Sequence, residues 1–278
     1  MDQRTPVVIL GAGYTGLVIH ALGQARGLRV LAGSRSPDEH LASIPASQRL
    51  RFDLARPQTW ADIPEQARLV WCFPAAPETL VQDFAGRIAP RISRLVVLGS
   101  TSAYEPAIPQ KAGAAAPLID ETSPLNLALP RVRGEEWLRT HSQAIVLRSA
   151  GIYGPGRHVL DWIRQGRVTA SPRYVNLIHV EDLAGICLAA LERGRAGEVY
   201  NVSDGEPRLW SDICLVAKRR WGVESPTKSV AGSASAGPGK RLSIGKLQTE
   251  LGYAFRHPDL YEALDAIENA AHHKLESL

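Results

Sequence analysis

The sequence predicts an α/β protein: a doubly wound parallel sheet with helices on both faces, followed by a smaller C-terminal lobe. Three observations predict it. Short apolar runs recur at 6–10, 28–32, 68–73, 93–98 and 144–148, with helical patterns between them at 15–26, 77–89 and 131–141. The runs are continuous rather than alternating, as in strands buried on both faces. A glycine-rich turn joins the first run to the first helical segment. Such β/α alternation gives parallel strands linked by right-handed crossovers.

The first strand, Val7-Val8-Ile9-Leu10, runs straight into Gly11-Ala12-Gly13-Tyr14-Thr15-Gly16. A strand, this turn and a helix make the Rossmann-type layout that opens onto a dinucleotide pyrophosphate. Gly11 allows the turn, Gly13 lets backbone approach the pyrophosphate, and Gly16 lets helix and strand pack closely. Tyr14 and Thr15 lie at the helix N-terminus, whose free N–H groups and partial positive charge favour phosphate.

The second strand ends Ala32-Gly33-Ser34-Arg35-Ser36, and no acid follows until Asp38-Glu39, beyond Pro37. An acid at that strand end would bond the ribose hydroxyls of NAD. Ser34 and Arg35 suit a 2′-phosphate instead, so NADP is expected over NAD; otherwise Arg35 is a solvated turn residue. After a short strand at 49–52, Asp53 is placed either to meet the adenine edge or to cap the segment 54–60.

Residues 1–150 form the cofactor-binding core, completed by a strand at 198–202, and residues 151–278 mainly form the smaller substrate lobe. Gly and Pro dominate 151–157, which reads as a loop. A short helix at 158–166 and a short strand at 174–178 follow. The helix at 180–193 has acids early and an Arg late, which suits its dipole. Further helices are expected at 209–221, 243–251 and 259–272, while 231–239 is low in complexity.

Composition narrows the function classes. The chain has 278 residues, 45% hydrophobic and 22% charged, with no apolar run near the ~18 residues of a membrane span. The first strand begins almost at once, without a signal peptide, so a cytoplasmic location is expected. The net charge is +4, but the 26 Arg and 6 Lys are scattered, whereas a nucleic-acid footprint needs a dense stripe. Cys72, Cys187 and Cys214 form no CxxC and no zinc spacing, and no metal is expected.

Five ordered segments carry a family resemblance. They are the glycine turn; Leu98-Gly99-Ser100-Thr101-Ser102-Ala103-Tyr104; Leu147-Arg148-Ser149-Ala150-Gly151-Ile152-Tyr153-Gly154-Pro155-Gly156; Ile178-His179-Val180-Glu181-Asp182-Leu183-Ala184; and Val199-Tyr200-Asn201-Val202-Ser203-Asp204-Gly205. Nearly end to end, the chain resembles the extended short-chain dehydrogenase/reductase superfamily, the NAD(P)-dependent epimerase/dehydratase group. The resemblance implies that Ser100 is a catalytic-site hydroxyl near the nicotinamide. It also implies a homodimer through helices flanking the sheet. The helix at 131–141 bears Arg131, Arg133, Glu135, Glu136 and Arg139, which makes a hydrophobic seam there less convincing.

One departure outweighs the matches. The family's acid is the tyrosine of Tyr-x-x-x-Lys, a spacing that puts both side chains on one helix face. None of this chain's tyrosines has a lysine four residues on, and no lysine occurs between 112 and 217. Arg131 or Arg133 lies roughly where the pair should be. Arginine holds its proton near pH 7, so it can bind a carboxylate or phosphate but not serve as the acid. Tyr104, Tyr153 and His179 are candidates to replace the tyrosine, each against an ordinary packing role. With Arg131, Arg133, Arg157 and His179 as substrate-binding residues, the expected substrate is a small molecule with an acidic group. Two functions follow: an atypical NADP-dependent oxidoreductase or epimerase-type enzyme, or a non-catalytic NADP(H)-binding sensor or scaffold.

Overall fold

Seven parallel strands form one sheet whose order reverses beside β1. The computed structural model describes residues 5–109, 111, 114–226 and 237–276, the side chains of Pro106 and of residues 271–276 excepted. In chain order its first half holds β1 (Val7–Leu10), α1 (Tyr14–Ala25), β2 (Val30–Ser34), α2 (Pro37–His40), β3 (Arg49–Arg51), β4 (Arg68–Trp71), α3 (Glu78–Ile88), β5 (Arg94–Ser100), β6 (Leu118–Ile119), α4 (Pro130–His141) and β7 (Ile145–Ser149). Then come β8 (Gly151–Tyr153), α5 (Val159–Arg164), β9 (Tyr174–Val175), β10 (Leu177–His179), α6 (Val180–Arg193), β11 (Val199–Val202), β12 (Arg208–Leu209), α7 (Trp210–Trp221), β13 (Arg241–Leu242) and α8 (Leu260–Glu276).

The sheet order is β11-β7-β5-β4-β1-β2-β3, parallel throughout. The chain winds outward from β1 to β3, then crosses back to β4 on the other side. Ligands of such sheets bind at the carboxyl ends of the strands flanking that switch point. Burial on both faces explains the continuous apolar runs. Val7 and Ile9 of β1 join the cluster under α1 and α6, while Val8 and Leu10 join the cluster under α3 and α4. A third apolar cluster, with Tyr153, Leu160, Trp210 and Leu264, lies off the sheet.

Two local expectations need correction. Gly151–Tyr153, expected as part of a loop, is strand β8, paired in parallel with β10. Gly151 allows that pairing because a Cβ there would lie 3.0 Å from Leu177 Cδ2. Separately, the helix expected near 243–251 is present but starts at 245, and its remainder, Leu247–Leu251, is a π-helical turn. The low-complexity stretch 231–239 lies mostly outside the described residues. No helix among the described residues is long and apolar enough to cross a membrane.

Candidate functional site

A cleft of about 540 Å³ opens at the carboxyl ends of β1, β4, β5 and β7, within the range of small-molecule sites. The glycine turn forms one wall. Gly11 has φ +78°, and the N–H groups of Gly11 and Ala12 both donate to Gly33 O at 3.1 and 2.9 Å. A Cβ on Gly16 would lie 3.0 Å from Ile9 Cγ2, so this glycine sets the approach of α1 to the sheet. Nothing lies within 4 Å of a Cβ built on Gly13, so that space is open to a ligand. No side chain caps α1 and no acid occupies its first turn. The uncapped first N–H groups of α1 and the open space at Gly13 fit a pyrophosphate. Tyr14 and Thr15 also line this wall, the Tyr14 hydroxyl buried without a partner and Arg157 5.8 Å over its ring.

At the end of β2, Ser34 Oγ accepts from Ser36 N and lies 3.3 Å from His40 Nδ1, while Arg35 is exposed. Arg51, at the end of β3, donates to Arg35 O at 3.3 Å and adds a second exposed guanidinium. Asp38, the first acid after the strand, is drawn to Arg49 at 3.4 Å. The Asp53 carboxylate accepts from Ala55 N at 2.9 Å, closing a local turn, and pairs with Arg56, which is itself the N-cap of the 3₁₀ turn at Pro57–Trp60.

The opposite wall carries a chain of polar contacts. Ser100 caps the 3₁₀ segment that follows β5, and its Oγ lies 3.0 Å from Ser102 Oγ. Arg131 donates to Ser102 Oγ at 2.7 Å and to Glu135 Oε1 at 3.1 Å. Glu135 is 1% exposed, and its Oε2 has no hydrogen-bond partner. Burial pushes its carboxyl up to about 7, against the opposing pull of Arg131. A Cβ on Gly99 would sit 2.8 Å from Glu135 Oε2, so the glycine lets the carboxyl rest directly on β5. Arg131 and Glu135 are four apart on α4 and both line the cleft. They therefore share the spacing of Tyr-x-x-x-Lys while reversing its chemistry. Ser102, Glu135 and Lys240, which also line the cleft, were not singled out from the sequence; an i, i+4 Arg/Glu pair ordinarily reads as a surface ion pair.

Seven sequence candidates do not line the cleft: Ser34, Arg35 and Asp53, described above, and four of those expected to be catalytic or substrate-binding. Tyr104 is fully buried, donating to Asn201 Oδ1 at 2.8 Å and accepting from Arg148 Nη1 at 2.9 Å. Tyr153 sits in the off-sheet apolar cluster, where burial raises its pKa and its hydroxyl finds no partner. Arg133 pairs with Glu78 at 2.9 Å and donates to Leu127 O and Ala128 O, tying the preceding loop to α3. His179 caps α6, accepting from Glu181 N, and burial with the nearby His257 lowers its pKa to about 4. His179, Glu181 and His257 bring their ligand atoms within 4.8 Å of one another, the two imidazole centroids lying 3.7 Å apart and tilted by 38°.

No family model matches the chain. Protein YeeZ of Escherichia coli K12 is 29% identical over 178 residues, 62% of this chain and 61% of that relative, so the match spans less than two thirds of its length. A structure from Methylobacillus flagellatus, assigned to the NAD-dependent epimerase/dehydratases, is 26% identical with a TM-score of 0.75, covering 96% of this chain and 99% of that one. MoeE5, solved with UDP-glucose and NAD, shares the fold at 18% identity and a TM-score of 0.72, over 98% of this chain and 99% of its own. The seven-stranded sheet and these likenesses give the chain an α/β Rossmann-type fold whose structural neighbours are NAD-dependent epimerase/dehydratase and short-chain dehydrogenase/reductase proteins.

Proposed function

We propose that the protein is an NADP-dependent oxidoreductase or epimerase-type enzyme acting on a small anionic molecule. One observation carries the reading: a glycine turn with open space at Gly13 and the Ser100–Ser102–Arg131–Glu135 chain line the same cleft. Bound at the turn, a nicotinamide dinucleotide would supply or accept the hydride. Arg131 holds a substrate carboxylate or a developing oxyanion, where a fixed cation is worth most. Glu135 fixes Arg131, and Ser102 receives its second N–H. Ser100 and Ser102 present hydroxyls to the reacting group, and Arg157 adds charge beside the turn.

Arg35, with Arg51 beside it, supports NADP over NAD because a guanidinium matches a 2′-phosphate. Fluorescence titration tests this. Wild type should bind NADP more tightly than NAD. Arg35→Ala should raise the NADP Kd about tenfold or more, the loss of a charge-assisted hydrogen bond, and leave the NAD Kd unchanged. Equal weakening of both cofactors would overturn the choice of NADP.

A further inference from the structure

One cation in the cleft comes from the C-terminal segment that returns to the sheet after α7. Lys240 immediately precedes β13 and lines the cleft together with Thr101 and Gly151, where a side pocket under Trp210 adjoins it. Its backbone is fixed from several directions. Gly239 has φ +75°, and a Cβ there would fall 2.3 Å from Tyr174 O, so the chain crosses β9 at a distance only glycine allows. Tyr174 N donates to Pro238 O at 2.8 Å. The buried Asn176 side chain donates to Lys240 O at 2.9 Å and accepts from Leu242 N at 3.0 Å. Arg241 N donates to Pro117 O at 2.9 Å.

Among the described residues, the Lys240 ammonium makes no hydrogen bond or ion pair. Glu105, on the 3₁₀ segment after β5, favours its charge, and Arg173, ahead of β9, opposes it. Arg131 and Arg157 also line the cleft, and its one carboxyl, Glu135, is engaged by Arg131. Burial dominates these influences and lowers the ammonium to about 8. The residue itself is half-buried, its side chain forming part of the cleft wall.

We propose that Lys240 is the proton donor to the reacting oxygen of an anionic substrate, supplied from the returning C-terminal segment in place of the acid that α4 lacks. This rests on the dinucleotide reading above. As a carbonyl carbon gains its hydride, the C=O electron pair settles on oxygen. Lys240 Nζ gives that oxygen a proton and is left a neutral amine, which solvent reprotonates. In the reverse direction the amine takes the hydroxyl proton. Before reaction, the ammonium and Arg131 together attract a carboxylate-bearing substrate.

The test follows the lysine directly. Lysines of the full chain are reductively methylated with ¹³C-formaldehyde and titrated by NMR, the Lys240 signal being assigned by its loss in Lys240→Met. It should titrate near 8, well below the other lysines, and shift when pyruvate is added as an anionic probe, with or without NADP. Titration among the surface lysines, or no response to pyruvate, would overturn the proposal. In turnover assays, Lys240→Met and Lys240→Arg should keep the cofactor Kd and thermal midpoint but lose about 10²–10⁴-fold in kcat, the usual worth of general acid catalysis. Arginine does not restore it, because a guanidinium holds its proton. Activity kept in Lys240→Arg would equally refute proton transfer. Should wild type bind no dinucleotide, the functional reading fails, while the NMR titration still decides whether Lys240 is a perturbed, anion-responsive group.

Discussion

A Gly13→Asp variant is expected to fold as well as wild type and to lose dinucleotide binding by about 100-fold or more, some 2.7 kcal/mol. The two effects separate because Gly13 is the N-cap of α1 and meets no protein atom within 4 Å of a built Cβ. Aspartate is among the favoured N-cap residues, and its charge suits the positive end of the helix. The same carboxylate would occupy the pyrophosphate position and repel it. Thermal melting and cofactor titration of one preparation check both halves. A variant that binds NADP as wild type does would show that the turn is structural only.

Gly134→Ala is expected to do the reverse and damage the fold. A Cβ on Gly134 would lie 1.9 Å from Ala75 O, a backbone atom in the loop after β4. Because the atoms met are backbone, no side-chain rotation relieves the contact, and α4 or the loop must shift. Overpacking of this kind costs about 1–3 kcal/mol and sometimes more. The upper end corresponds to a melting point lowered by about 6–12 °C in a chain of this size. Gly86→Ala, on the exposed side of α3 with nothing within 4 Å of its Cβ, is the control. There the same methyl should stabilise by about 0.5–1 kcal/mol through helix propensity. Opposite signs for one substitution on two neighbouring helices would tie the loss to the Ala75 contact. An unchanged melting point for Gly134→Ala would remove it.

That contact also shows where sequence reading stops. The order of strands and helices was legible because strands covered on both faces must be apolar throughout. The glycine turn was legible because three glycines at fixed spacing do three separate jobs. Arg131 and Glu135 were visible as letters, but their meaning depends on Gly134 and Gly99, which together let α4 and a buried carboxyl lie close to the sheet. Tyr104 was misleading for a related reason. It follows Ser100 in a segment resembling the family's, yet its hydroxyl is taken by Arg148 and Asn201, residues distant in sequence. Tyr153 sits in a strand where glycine and proline suggested a loop. Lys240 was invisible because it reaches the cleft through contacts with Tyr174 and Asn176, across a chain separation that no local pattern reports.

In the proposed function, the dinucleotide site at the glycine turn and the rewritten α4 together make a hydride-transfer centre. Incubation with NADPH carrying deuterium at nicotinamide C4, against small oxo acids and nucleotide sugars, measures it by mass spectrometry of the products. Deuterium should appear on the reacting carbon of an anionic acceptor with wild type and be absent with Gly13→Asp. Tight NADP binding with no label transferred to any acceptor would contradict the account and leave a protein that binds the cofactor without using it.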